Sequence, residues 1–103
     1  MNHEYFVYII TNKSKKSLYI GVTNNLTLRL AQHFDNRGDN TTWPGRYRCY
    51  LLIYYESFLY VDKAIAREKQ IKNWSRQKKE WLISRINPQW EFLNRRFSID
   101  KNE

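Results

Sequence analysis

A single α+β domain with the element order β-β-α-β-α-α is the fold class this sequence predicts. Three observations predict it. Strand-sized runs rich in β-branched and aromatic residues stand at 5–11, 17–22 and 50–57. Stretches with helical character occupy 26–34, 61–73 and 77–86. No repeat, linker or low-complexity run divides the 103 residues, a length suited to one modest core.

Tyr5–Thr11 (YFVYIIT) contains no breaker and reads as a buried strand. Asn12–Lys16 is polar and turn-like, and Ser17–Val22 (SLYIGV) returns as a second strand, a hairpin with a loop of about five residues. Gly21 lies near the end of that strand, where glycine permits a bulge or a close backbone approach. Thr23, Asn24 and Asn25 supply helix N-caps. Leu26, Leu30 and Phe34 follow at i, i+4 and i+8, one apolar face of a helix ending near Phe34.

Asp35–Arg48 reads as a loop from its Asn, Gly, Asp and Pro content. It holds Trp43, Arg46, Tyr47 and Arg48, a mixture suited to touching nucleic acid and equally to ordinary loop packing. Tyr50–Ser57 is the third strand, Val61–Asn73 a helix and Gln77–Ile86 another, broken by Asn87-Pro88. Trp90–Phe97 adds a last turn or short helix that caps the core with Trp90, Phe92 and Leu93. Residues 1–97 are thus expected to form the domain, and 98–103 a flexible end.

Composition narrows the function. Apolar residues make up 42% and aromatics 17%, which suits a folded domain and not a disordered tail. The apolar runs fall far short of the ~20 residues of a membrane helix. The N-terminus has no basic segment followed by an apolar one, so a cytoplasmic protein, with nucleoid association open, is expected. The lone cysteine, Cys49, reads as a plain buried thiol, and two His with one Cys far apart make no zinc-site spacing. Net charge is +8, from 18 Lys plus Arg against 10 Asp plus Glu. With a pI near 9.7, that balance is the footprint expected of a phosphate-rich partner.

Glu68 is the most informative single position. Val61, Ala64, Ile65 and Ile71 define one face of its helix, and Glu68 falls inside that stripe. An inward carboxylate is costly unless paired or metal-bound, so a buried salt bridge, a stripe edge reaching solvent and a metal ligand all remain open. Arg29 and His33 stand at i and i+4 and flank the apolar stripe of the first helix. A guanidinium binds two phosphate oxygens and an imidazole passes protons near neutral pH, although such pairs are often accidents of a surface. Tyr8 and Tyr19 lie near the middle of the two hairpin strands, where cross-strand packing is the ordinary role. The loop length leaves their register open.

Together these residues resemble a known family. Phe6-Val7-Tyr8, ten intervening residues and then Tyr19-Ile20-Gly21 resemble the two-part signature of the GIY-YIG nuclease superfamily. Thr23-Asn24-Asn25-Leu26 with Arg29 and His33 looks like its next motif. Ala66–Lys72 with Trp74 and Arg76 is similar to the helix carrying the family's metal-binding glutamate. The likeness covers about Tyr5 to Leu93 and is closest to the small standalone bacterial group named UPF0213 or YhbQ-like. Phe6 and Val7 replace the first two letters of the name motif, and Val22 stands where some members carry a lysine.

The resemblance implies a three-stranded antiparallel sheet flanked by helices. It implies a divalent-metal-dependent endonuclease acting on DNA, with RNA open as a substrate and a place in repair or recombination. By the same likeness, Glu68 would hold Mg²⁺ or Mn²⁺ and Arg29 would bind the scissile phosphate. Tyr8 would accept or orient the proton of the attacking water, with His33 and Tyr19 shaping the network and His33 the second candidate base. Gly21 would be structural. Lys69, Lys72 and Arg76, within a basic stretch that also holds Lys63, Arg67, Lys78 and Lys79, and Arg46 in the loop are the expected phosphate contacts. No base-reading domain is visible, so single-stranded, nicked or branched DNA is expected and not a specific sequence. The alternative is a module on the same fold that holds nucleic acid without cutting it.

Overall fold

Strands β1 (Tyr5–Thr11), β2 (Leu18–Thr23) and β3 (Leu51–Phe58) form one antiparallel sheet in the order β2-β1-β3. A computed structural model provides these coordinates and describes residues 4–97. Helices α1 (Leu26–Asp35), α3 (Val61–Lys72) and α4 (Arg76–Ile86) follow the predicted order, a short helix α2 (Trp43–Arg46) lies between α1 and β3, and a 3₁₀ turn spans Asn94–Phe97. The expected α+β class and the three-stranded antiparallel sheet both hold. The three strands and helices α1, α3 and α4 begin and end within a residue or so of their sequence signals, and the last turn is confined to Asn94–Phe97. The expected flexible end, 98–103, lies outside the described residues.

The central strand β1 alternates its side chains between two cores, as a strand covered on both faces must. Val7 and Ile9 join Ile20, Ile53, Ala64, Ile71, Leu82 and Ile83 beneath α3 and α4. Tyr8 and Ile10 join Leu26, Leu30, Cys49 and Leu52 beneath α1. A register shift between Ile9 and Ile10 leaves Ile53 as an extra residue on β3. The outer edge of β3 is covered by the C-terminal segment. Leu93 N–H donates to Leu52 O at 2.7 Å and Leu52 N–H to Asn94 Oδ1 at 2.7 Å. Asn87, 7% exposed, donates to Ile53 O and Glu91 O at 2.9 Å each. The exposed-edge liability of a small sheet is thereby closed on that side.

Capping sets the helix starts. Asn25 Oδ1 accepts from Leu28 N–H at 3.0 Å, and Ser75 Oγ accepts from Lys78 N–H at 3.1 Å. Three sequence expectations are corrected. Asp35–Arg48 is not all loop, because Thr42 Oγ1 caps Gly45 N–H at 3.1 Å and nucleates α2 with Pro44 in its first turn. Phe34 does not join the core. It is 46% exposed at the end of α1, its ring edge-on to Tyr50 and under Arg37. On α3 the buried residues are Ala64 and Ile71, while Val61 and Ile65 are exposed. The inward face is therefore centred on Ala64, Glu68 and Ile71, spaced by four and three residues.

Of the three aromatics and aliphatics expected to cap the core, Trp90 packs on the α3–α4 side and Leu93 on the α1 side. Phe92 is instead exposed, with Lys15 Nζ 5.1 Å from its ring centroid.

Candidate active site

Tyr8 is fully buried on β1, facing α1. Its cross-strand partner is Gly21, and Tyr19 pairs with Ile10. The two tyrosines therefore share one face of the hairpin diagonally and do not stand side by side. A Cβ at position 21 would lie 2.4 Å from both Tyr8 Cζ and Oη. Glycine at this position is what lets the phenol lie flat across β2.

The α1 residues come down onto this face. Tyr8 Oη and His33 Nε2 are 2.9 Å apart. His33 also packs against the Tyr19 ring, with centroids 5.7 Å apart and planes at 65°. Arg29, one turn earlier on α1, is half-buried beside the Tyr8 hydroxyl. Burial of Tyr8 pushes its phenol up to about 12, and the Arg29 charge only partly opposes this. Burial of His33, reinforced by the Arg29 charge, lowers its imidazole to about 4. Near neutral pH the site thus holds a protonated phenol against a neutral imidazole.

Glu68 approaches from the other layer. β2 is an edge strand, and α3 packs with β1 and β2 through Ala64 and Ile71 on the face opposite the tyrosines. The Glu68 side chain is 12% exposed, and its Oε2 accepts from Lys72 Nζ at 2.6 Å. Lys72 Nζ stands 6.0 Å from the Tyr19 ring centroid, and the Glu68 charge is among those felt by Tyr8. Tyr8, Tyr19, Arg29 and His33 are therefore neighbours, and Glu68 is linked to them through Lys72 and through its charge at Tyr8. Lys72 stands among them as well, which the i,i+4 spacing to Glu68 signals in the sequence.

A divalent ion fits this carboxylate. Among the described residues no group of three or more His, Cys, Asp or Glu converges, so a cage made wholly of protein is not available. Mg²⁺ does not require one. It commonly takes one or two carboxylates and fills its shell with water and substrate phosphate oxygens. Glu68, inward-facing and with its side chain 12% exposed, is a donor of that kind.

The expected phosphate contacts separate into two groups. Lys69 and Arg46 are exposed, Arg46 making one long bond of 3.4 Å to Asn40 O. Lys72 is paired with Glu68. Arg76 is held by Glu80 at 2.8 Å and by the carbonyls of Lys16 and Lys15 at 2.6 and 3.0 Å, which clamp the β1–β2 turn. Arg67, counted in the basic stretch, is bound to Glu56 from both Nε and Nη2. A neighbour that sequence reasoning left unconnected is Trp43, stacked on Tyr19 with centroids 6.1 Å apart and planes at 25°.

Two strand tyrosines, a helix-borne Arg–His pair and one inward carboxylate are thus carried on a small α+β scaffold. Residues 4–80 match the family described as the GIY-YIG catalytic domain, and the chain belongs to that family, one of nucleases whose substrate is nucleic acid. It is similar to small UPF0213 proteins along nearly their whole length. One from Staphylococcus haemolyticus is 38% identical over 80 residues, 78% of this chain and 94% of its own. One from Haloquadratum walsbyi is 33% identical over 82 residues, 80% of this chain and 89% of its own. The solution NMR structure of a UPF0213 protein from Bacillus halodurans superposes with a TM-score of 0.54 at 28% identity, covering 95% of this chain and 99% of that one. Among the described residues no helix is long and apolar enough to cross a membrane.

Proposed function

We propose that this protein is a divalent-metal-dependent endonuclease that hydrolyses phosphodiester bonds in DNA. On this reading it is directed to single-stranded, nicked or branched substrates, serves repair or recombination, and works in the cytoplasm. The observation that carries the reading is the Tyr8–His33 hydrogen bond with Arg29 beside the phenol and the Glu68 charge reaching it. Pure binding has no need of a carboxylate near a phosphate.

The chain's own groups divide the work. Arg29 binds the scissile phosphate and offsets charge developing on it. An attacking water gives up a proton as its oxygen bonds to phosphorus. Tyr8 holds its own proton too tightly to serve as a free phenolate, so it accepts from the water as it donates to the neutral imidazole of His33. Tyr19 packs against His33 and orients its ring. Gly21 keeps room for the phenol. Glu68 would hold Mg²⁺ or Mn²⁺, which when bound supplies Lewis-acid polarisation of a phosphate oxygen and stabilises the leaving oxygen. Lys69 and Arg46 hold flanking phosphates without reading bases.

A gel assay tests the reading directly. Purified protein is incubated with single-stranded, duplex and branched DNA in Mg²⁺, Mn²⁺ or EDTA, beside Glu68→Gln. Metal-dependent cleavage lost in Glu68→Gln is expected. Salt-sensitive binding without cleavage on every substrate, unchanged by that substitution, would instead leave a binding module on this fold.

A further inference from the structure

We propose that Trp43 and Tyr47 form a stacking platform for unpaired bases, and that the cleft beside them carries the phosphates of the same single strand. The inference rests on the nuclease reading above and deepens it to a substrate class. The strand that reaches Tyr8 and Tyr19 is unpaired where it passes α2.

Trp43 and Tyr47 are 47% and 42% exposed, although they are the two large aromatics of a short segment. Their ring centroids lie 4.7 Å apart at 43°, so they make one joined surface. That surface is continuous with the site, because Trp43 stacks on Tyr19 at 25° and Tyr19 meets His33 at 5.7 Å. An aromatic track therefore runs from the imidazole to the outer end of α2. Base stacking on such rings is tolerant of sequence, since every base has a π-face.

Beyond Tyr47 the track opens into a cleft of about 550 Å³. Lys13, Arg37 and Arg48 line it, and none of its lining residues is a carboxylate. Cations lining a wall that bears no carboxylate, beside exposed rings, match the two halves of a nucleotide. Arg37 lies over the Phe34 ring at 3.6 Å, which holds its guanidinium at the cleft wall.

The segment is built and not slack. Gly38 N–H donates to Gly45 O at 2.8 Å, and Gly45 is packed so that a Cβ would lie 2.4 Å from Asp39 O. Cys49 N–H donates to Pro44 O at 2.8 Å, and Asn12 Nδ2 to Tyr47 O at 3.2 Å. A platform ordered in advance loses little freedom when a base docks. A duplex keeps its bases stacked on one another and offers no ring face to it, whereas a single strand does.

The test is fluorescence anisotropy in EDTA, with a short labelled single-stranded oligonucleotide and its duplex, on wild type, Trp43→Ala, Trp43→Phe and Arg48→Ala. Cleavage of both substrates in Mg²⁺ is followed in parallel. Trp43→Ala is expected to weaken single-strand binding roughly 5- to 150-fold while duplex binding holds. Trp43→Phe, which keeps a ring and controls for folding, restores most of it. Arg48→Ala lowers the salt dependence of single-strand binding by about one ion.

Equal losses on both substrates, or no loss, overturn the platform even where metal-dependent cleavage is present and the nuclease reading stands. A selective loss with no cleavage of anything leaves the platform standing and removes the nuclease reading. A wild type that binds neither substrate at low salt overturns both.

Discussion

Gly21 stands directly across the β1–β2 ladder from Tyr8, and a single added carbon there would overlap the phenol ring at 2.4 Å. The ring is fully buried and has no direction in which to yield cheaply. We therefore expect Gly21→Ala to cost roughly 1–3 kcal/mol by overpacking. In a domain of this size each kcal/mol lowers Tm by roughly 4–8 °C. Tyr8→Phe, by contrast, keeps the ring and should hold Tm while losing cleavage. Thermal melts of the two variants beside the gel assay check this, and an unshifted Tm in Gly21→Ala would refute it.

The depressed His33 imidazole makes acid a specific stress. In the unfolded chain histidine takes a proton near pH 6.5, whereas the folded His33 does so only near 4, chiefly because it is buried. Between those values the unfolded state binds more protons, so stability falls as pH falls. The slope from this group is at most about 1.4 kcal/mol per pH unit, and less here because the ring is partly exposed. Urea midpoints at pH 7, 6 and 5 should decline in wild type and decline less in His33→Gln. On the same grounds, kcat/KM should fall only as pH nears 4, not at 6.5. Identical stability slopes in the two proteins would sink the assignment.

The fold was legible because its signals were local. The strand runs, the Asn25 cap and the Asn87-Pro88 stop lie in the chain itself, and each sits at an element end. Glu68 was legible as an inward carboxylate because helical period alone puts it between Ala64 and Ile71. What resisted was long-range. The Tyr8–Gly21 pairing depends on hairpin register, which a polar loop of about five residues does not specify. Phe34 looked like core because period says nothing of where the sheet ends. The partners of Arg67 and Arg76, Glu56 on β3 and the Lys15–Lys16 carbonyls, lie 11 and about 60 residues away. A basic stretch read in one dimension hides those bonds.

Lys72 holds the carboxylate that the proposed ion needs. Its ammonium is half-exposed, and pairs of that kind contribute little to stability, about 0.5 kcal/mol or less for an i,i+4 helix pair. Removing it should leave the fold intact and free Glu68 Oε2. We expect Lys72→Met to lower the Mg²⁺ concentration for half-maximal cleavage several-fold, with Tm shifted by no more than a few degrees. Titration of Mg²⁺ against cleavage rate measures this directly. A raised requirement would mean that Lys72 assists the phosphate and does not compete for the carboxylate.

Charge neutralisation tests which cations are the proposed phosphate contacts and which hold the fold. Lys69 and Arg46 have exposed heads, whereas the Arg76 guanidinium is already shared between Glu80 and two turn carbonyls. Each cation withdrawn from a phosphate should reduce the slope of log K against log salt by about one. Lys69→Ala and Arg46→Ala are therefore expected to flatten the salt dependence of binding with Tm unchanged. Arg76→Ala should do the opposite. It unclamps the β1–β2 turn and lowers Tm, for a loss of roughly 1 kcal/mol because its bonds are half-exposed, while the salt slope of the folded protein stays near wild type. Binding isotherms at several salt concentrations, read beside melts, discriminate the two roles. A flattened slope with an unshifted Tm in Arg76→Ala would return that residue to the phosphate-binding set.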